Sequence, residues 1–200
     1  MIDILFYITF FSIILLDITM ILTIYTNIKF WPPQDSKFKL YFNWILTYIF
    51  IGGIIILGPL DYNSFIFNFL IVKIIGVVLF LIGVSLSISA MFSFKVKETL
   101  GISIDRLKTD GIYSVSRNPQ YIGDILWFIG YMLFFNSSYL YIIVPLSVVW
   151  FFIAPFTEEP LLFSKFNNDF TKYKMNVPRF INLKLLFLFV KDYFVKDISK

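Results

Sequence analysis

Five stretches of this chain run nearly free of charge, three of them for twenty residues or more. They lie at about Ile4–Thr26, Leu40–Leu60, Phe65–Phe92, Tyr121–Phe135 and Tyr139–Phe156. A helix needs roughly 20 apolar residues to cross the hydrocarbon core of a bilayer. Inside that core every backbone N–H and C=O must be satisfied within the segment, so runs of this length can only be helices. The sequence therefore predicts an all-α polytopic membrane protein with about five transmembrane helices. The fourth segment is short, so it and the fifth could instead form a re-entrant hairpin. With 58% hydrophobic and 15% charged residues, the chain has too little polar material to cover a lone globule. The first segment carries Asp3 and no basic flank, and is read as a retained span.

The basic residues test this partition independently. The first loop holds Lys29, Lys37 and Lys39, residues 95–120 hold five Lys or Arg, and the region after Phe156 holds eight. The N-terminal flank and the turns near Asp61 and Ser137 hold none. Positive charge thus alternates with the five crossings, and the positive-inside rule places the N-terminus outside and the C-terminus in the cytoplasm. The net charge of +4 is read as this cytoplasmic bias, with no nucleic-acid partner. There is no linker and no repeat, so residues 1–200 are expected to form one domain.

Histidine and cysteine are absent. That removes the commonest general base and the commonest metal ligands, so no metal site is expected. The chemistry must use carboxylates, Arg, Lys, Tyr, backbone groups or a bound cofactor. The two large polar segments share the cytoplasmic face, which points to a site there within about residues 95–182.

Glu158 and Glu159 are adjacent where the fifth span leaves the membrane. Like charges this close call for a cationic partner. They also suit the start of a new helix at Pro160. After Pro160, Leu162, Phe166, Phe170 and Tyr173 recur at helical spacing and predict a cytoplasmic amphipathic helix packed along the membrane surface or over the spans. Leu183–Val195 reads as an interfacial helix.

Upstream, Pro119 can open the fourth helix, with Asn118 as its N-cap. That does not account for Arg117, Tyr121 and Gly123 at the same membrane edge. Gly123 would let something approach the helix backbone closely. Asp17 and Lys73 are charges inside spans, about 10 Å apart in depth, so they could pair only by snorkelling or sliding. The Trp31-Pro32-Pro33 loop reads as a rigid turn.

The run Gly111-x-Tyr113-x-x-x-Arg117-Asn118-Pro119-x-Tyr121-x-Gly123, followed by Glu158-Glu159, Phe166, Tyr173 and Pro178-Arg179, resembles the isoprenylcysteine carboxyl methyltransferase and phospholipid methyltransferase superfamily. The resemblance covers about residues 90–182. It implies a five-span enzyme that binds S-adenosylmethionine from the cytosol and methylates a lipophilic acceptor arriving from the bilayer. It further implies a cofactor pocket lined by Tyr113, Arg117, Asn118, Pro119, Tyr121, Gly123, Glu158 and Glu159, with Arg179, Glu158 and Tyr173 in catalytic roles. Many relatives have Arg-His-Pro where this chain has Arg117-Asn118-Pro119. Asn cannot titrate near neutral pH, so an acid–base role at that position is not expected. Two other readings are open: a nicotinamide-dependent reductase of enone or sterol-like lipids, and a non-enzymatic transport or assembly protein. The oligomeric state and the acceptor are not legible.

Overall fold

A computed structural model of the chain describes residues 1–34 and 36–181. Among these residues all regular structure is helical: α1 (Ile2–Tyr25), α2 (Lys37–Leu60), α3 (Leu70–Met91), α4 (Val96–Thr99), a 3-10 turn (Gly111–Ser114), α5 (Pro119–Phe135) and α6 (Ser138–Asn176). Four of them, α1, α2, α3 and α6, are long and apolar enough to cross a membrane. The expected interfacial helix at Leu183–Val195 lies outside the described residues.

The outward faces are apolar. Ile4, Tyr7, Ile8 and Phe11 on α1 and Ile71, Ile74 and Val78 on α3 are all exposed, as lipid-facing side chains would be. The inward faces meet in a core of Ile13, Leu16, Phe50, Ile54, Leu57, Phe128, Leu140 and Val144. Where helices cross most closely, the residues are small. Gly123 and Gly130 on α5 face Gly83 and Gly76 on α3. A Cβ on Gly130 would sit 2.4 Å from the Phe80 nitrogen, and one on Gly83 would sit 2.3 Å from the Trp127 nitrogen. Without a hydrophobic drive between helices in lipid, such close backbone packing is what holds two helices together.

α5 is 17 residues, about 26 Å at 1.5 Å per residue. It lies antiparallel to α3. Its first turn reaches Ser87 near the end of α3, and its C-terminus reaches the α2–α3 turn. There Asn63 N donates to Phe135 O (2.9 Å), Phe65 N donates to Asn136 O (2.9 Å), and Asn136 Nδ2 donates to Phe65 O (2.7 Å). These bonds also explain why α3 begins at Leu70 rather than at Phe65. The intervening backbone is committed to this turn, and the Phe65 ring stacks on Tyr141. Asp61 Oδ2 closes the cluster by accepting from Ser64 Oγ (2.7 Å) and Ser137 Oγ (2.6 Å).

Pro160 does not start a new helix. α6 runs on through Pro155 and Pro160 for 39 residues, and its discontinuity is at Asn167 (φ 38°, ψ −107°). A proline inside a helix removes one N–H, and packing on both sides can hold the helix together. Asn tolerates positive φ better than most residues, so the break falls there. Beyond it, Phe170, Tyr173 and Val177 pack on Leu107, so the apolar stripe covers the segment between α3 and α5. Lys73 does not meet Asp17. Its Nζ bonds to the Tyr62 hydroxyl (2.9 Å), while Asp17 Oδ1 is buried without a partner among the described residues.

Candidate active site

The segment before α5 and the end of α6 are sewn together. Arg117 N donates to Pro178 O (3.0 Å), and Asn118 Nδ2 donates to Arg179 O (2.9 Å). Ser116 Oγ donates to Arg179 O (3.3 Å), and the Tyr173 hydroxyl donates to Tyr113 O (2.6 Å). Two motifs sixty residues apart in the chain thereby become one wall. Asn118 does occupy the N-cap position of α5, yet its side chain makes no capping bond. Its amide is used to hold Arg179 instead.

Arg179 in turn holds Glu159. Its Nε and Nη2 donate to the two carboxylate oxygens at 2.7 Å each, and the guanidinium stacks 3.7 Å over the Phe156 ring. Arg117 Nη1 is 2.9 Å from Glu159 Oε1, an ion pair without hydrogen-bond alignment. Glu159 thus has the cationic partners that an adjacent acidic pair requires, two of them. The Glu159 hydrogen bonds raise the Arg179 pKa. Burial lowers that of Arg117, with Glu159 opposing. Burial also drives the Tyr113 phenol up, so it stays protonated.

Glu158 is different. Its Oε1 accepts from the Tyr121 hydroxyl and from Trp31 Nε1 (2.7 Å), and it makes no ion pair among the described residues. Trp31 was missed in the sequence, where its loop reads as a turn. The only signal was an aromatic beside a proline pair on the face that carries the acidic residues.

A cavity of about 770 Å3 opens among these groups. Tyr113, Arg117, Asn118, Tyr121, Glu158, Glu159 and Tyr173 line it. Pro119, Gly123 and Arg179 do not. Pro119 is the first residue of α5, Arg179 stands behind Glu159, and what approaches Gly123 is α3. A Cβ there would lie 2.5 Å from Ser87 Oγ. The opposite wall is apolar and comes from α2 and α3, with Tyr48, Ile51, Ile88 and Met91. One chamber therefore joins a charged end to an oily end.

Residues 71–169 match the phospholipid methyltransferase family model, which spans α3 to α6 and most of the wall just described. The protein-S-isoprenylcysteine O-methyltransferase of Schizosaccharomyces pombe is 34% identical over 79 residues, covering 38% of this chain and 33% of that protein. Both matches support the isoprenylcysteine and phospholipid methyltransferase superfamily for this chain. The aligned stretch is about a third of that curated relative. No solved structure matches the chain. Of the motif residues read in the sequence, Tyr113, Arg117, Asn118, Tyr121, Glu158, Glu159 and Tyr173 line the cavity, and Arg179 stands behind Glu159.

Two buried nitrogens at that end are unsatisfied. Arg117 Nε and Nη1 have no hydrogen-bond acceptor among the described residues. Buried donors of this kind are normally paired, so they call for an acceptor from a ligand. A carboxylate suits a guanidinium best. Glu158 alongside, without a cation, suits an ammonium or sulfonium. An amino-acid-bearing sulfonium such as S-adenosylmethionine carries all three groups, and the donor set fits it.

Proposed function

We propose that this protein transfers a methyl group from S-adenosylmethionine to a lipophilic acceptor at the cytoplasmic membrane face. The observation that carries the reading is the juxtaposition of Arg117, whose buried Nε has no acceptor among the described residues, and Glu158, without a cation there, at one end of a cavity whose other end is apolar. The matched family and the S. pombe relative support a methyltransferase. Neither comparison points toward the nicotinamide reductase or the transport reading.

The bound cofactor supplies an activated methyl group, so the protein needs no nucleophile of its own. Its residues align and neutralise. Arg117 holds the cofactor's carboxylate. Glu158, oriented by Tyr121 and Trp31, stabilises the positive charge of its ammonium or sulfonium. Tyr173 and Arg179 act as positioning residues: Tyr173 ties the α6 extension to Tyr113, and Arg179 fixes Glu159. The apolar stripe over Leu107 excludes water from the charged end. In this reading α5 is a fifth, short crossing, the N-terminus is outside, and the charged end of the cavity faces the cytosol.

Calorimetric titration of detergent-purified protein with S-adenosylmethionine tests the reading, with Glu158→Gln beside the wild type. Micromolar binding that the substitution weakens by more than about tenfold supports it. A folded wild type that binds no cofactor overturns it.

A further inference from the structure

α2 and the loop before it lie outside the matched residues 71–169, yet they supply one corner of the cavity. Contacts fix how that corner is built. Trp31 Nε1 donates to Glu158 Oε1 (2.7 Å), and Trp44 Nε1 donates to Leu100 O (3.3 Å). The two indole rings stand 6.5 Å apart at 68°, edge to face. The loop after α4 closes the far side. A Cβ on Gly101 would meet the Trp31 ring at 3.1 Å and Pro33 at 3.0 Å, and Gly101 O accepts from Gln34 N (3.3 Å). Both indole N–H groups are thus spent on holding the rings, and what remains for a ligand is aromatic surface.

Asn43 supplies a polar group to the same corner. It is 2% exposed and lines the cavity next to Trp44 in the chain. Its Nδ2 donates to Lys39 O (2.7 Å) and to Phe30 O (3.2 Å), the residue before Trp31. Both amide hydrogens face carbonyls, so the amide cannot be turned round and its oxygen is fixed as an acceptor. That oxygen, Oδ1, is buried with no donor among the described residues. A buried acceptor is normally paired, so this one calls for an N–H or O–H from a ligand. Arg117 and Glu158 account for the charged groups of the cofactor and leave Asn43 without a role.

We infer that Trp31, Trp44 and Asn43 form the pocket for the cofactor's nucleobase: a 6-aminopurine lies against the indole rings and donates its amino N–H to Asn43 Oδ1. An adenine ring carries both things that the corner asks for, a flat π surface and an N–H on its edge. An aliphatic amine would use Asn43 and leave the indoles bare, and a plain aromatic ring would do the reverse. The place suits the rest of the ligand too. Glu158, which holds Trp31, takes the ammonium or sulfonium, so the base falls on the indole side of that carboxylate. The inference rests on the methyltransferase reading for the identity of the whole ligand, and on the corner alone for recognition of the base. It gives α2 and the loop before it a share in cofactor binding, and neither belongs to the matched region.

The test uses the full chain in a neutral detergent and two neutral nucleosides, titrated by calorimetry at pH 7. One is 5′-methylthioadenosine, which has the base and the sugar without the sulfonium or the amino acid. The other is the same nucleoside without its 6-amino group. The wild type is expected to bind the aminopurine at least about tenfold more tightly. Asn43→Leu is expected to bring the two within about threefold of each other. Trp44→Leu is expected to weaken both by about fivefold or more and to keep the preference. Equal binding of the two by the wild type overturns the inference, as does binding of neither, and so does an undiminished preference in Asn43→Leu. If Asn43→Leu does not fold, Asn43→Ala takes its place, and the wild-type ratio still decides whether the amino group is read. S-adenosylmethionine binding is measured separately. Its absence beside an intact aminopurine preference overturns the methyltransferase reading and leaves the base pocket standing. Its presence without that preference overturns the pocket alone.

Discussion

Arg179 grips Glu159 with two parallel hydrogen bonds, each 2.7 Å, across twenty residues of chain. This fork is what turns an adjacent pair of glutamates into two groups with different tasks. Glu159 is held by two guanidinium groups, and Glu158 has no cationic partner among the described residues.

Arg179→Lys should therefore be a poor replacement. A lysine keeps the charge and loses the planar fork and the stacking on Phe156. We expect a clear drop in melting temperature and about tenfold weaker S-adenosylmethionine binding. Glu159→Gln should destabilise more, by ~3–5 kcal/mol, because it leaves two largely buried guanidinium groups without their anion. Thermal shift in detergent ranks the two variants, and Lys matching the wild type would remove the fork from the account.

Tyr121→Phe and Trp31→Phe each delete one donor to Glu158 Oε1. Each is expected to weaken cofactor binding by roughly three- to tenfold, as the loss of a hydrogen bond to a charged group would. Melting temperature should change little. A loss of folding with no specific change in affinity would assign both residues to packing alone.

Asn118 donates to Arg179 O, and a histidine ring N–H can also donate. Asn118→His is expected to keep S-adenosylmethionine affinity within about threefold, whereas Asn118→Ala should lose about fivefold, the worth of roughly 1 kcal/mol. The binding isotherms of the two variants decide it. If both fall equally, the hydrogen bond is not what matters at this position.

Gly123→Ala places a methyl group against Ser87 and the α3 backbone. The expected cost is about 1–3 kcal/mol of stability. The protein that remains folded should bind the cofactor like wild type, because Gly123 lies outside the cavity. A selective loss of binding at unchanged stability would return Gly123 to the cofactor site.

The apolar runs showed the helices almost directly, since the bilayer demands length and hydrophobicity and both are local properties. The acidic pair was legible because like charges at a membrane edge need a cation, and Arg117 stood out beside Tyr121 and Gly123 at one membrane edge. What could not be read was division of labour. Glu158 and Glu159 are equivalent in the sequence, and only the direction each faces on α6 separates them. Gly123 signalled close approach correctly and gave no hint that α3 was the visitor. Trp31 was invisible because its partner lies 127 residues away. The continuation of α6 past Pro160 was missed for a related reason: proline reports local cost, and the packing that offsets it is not local.

The length of α6 has a mechanical meaning. Its first turn is pinned by Asp61 at the end of α2, and its last turns carry Phe170 and Tyr173 over the cavity. Between these ends the only non-helical backbone is at Asn167. A stiff shaft with one joint transmits movement without absorbing it. The placing of the cover is therefore set by two things alone, the direction in which the membrane half of α6 points and the backbone angles of a single asparagine.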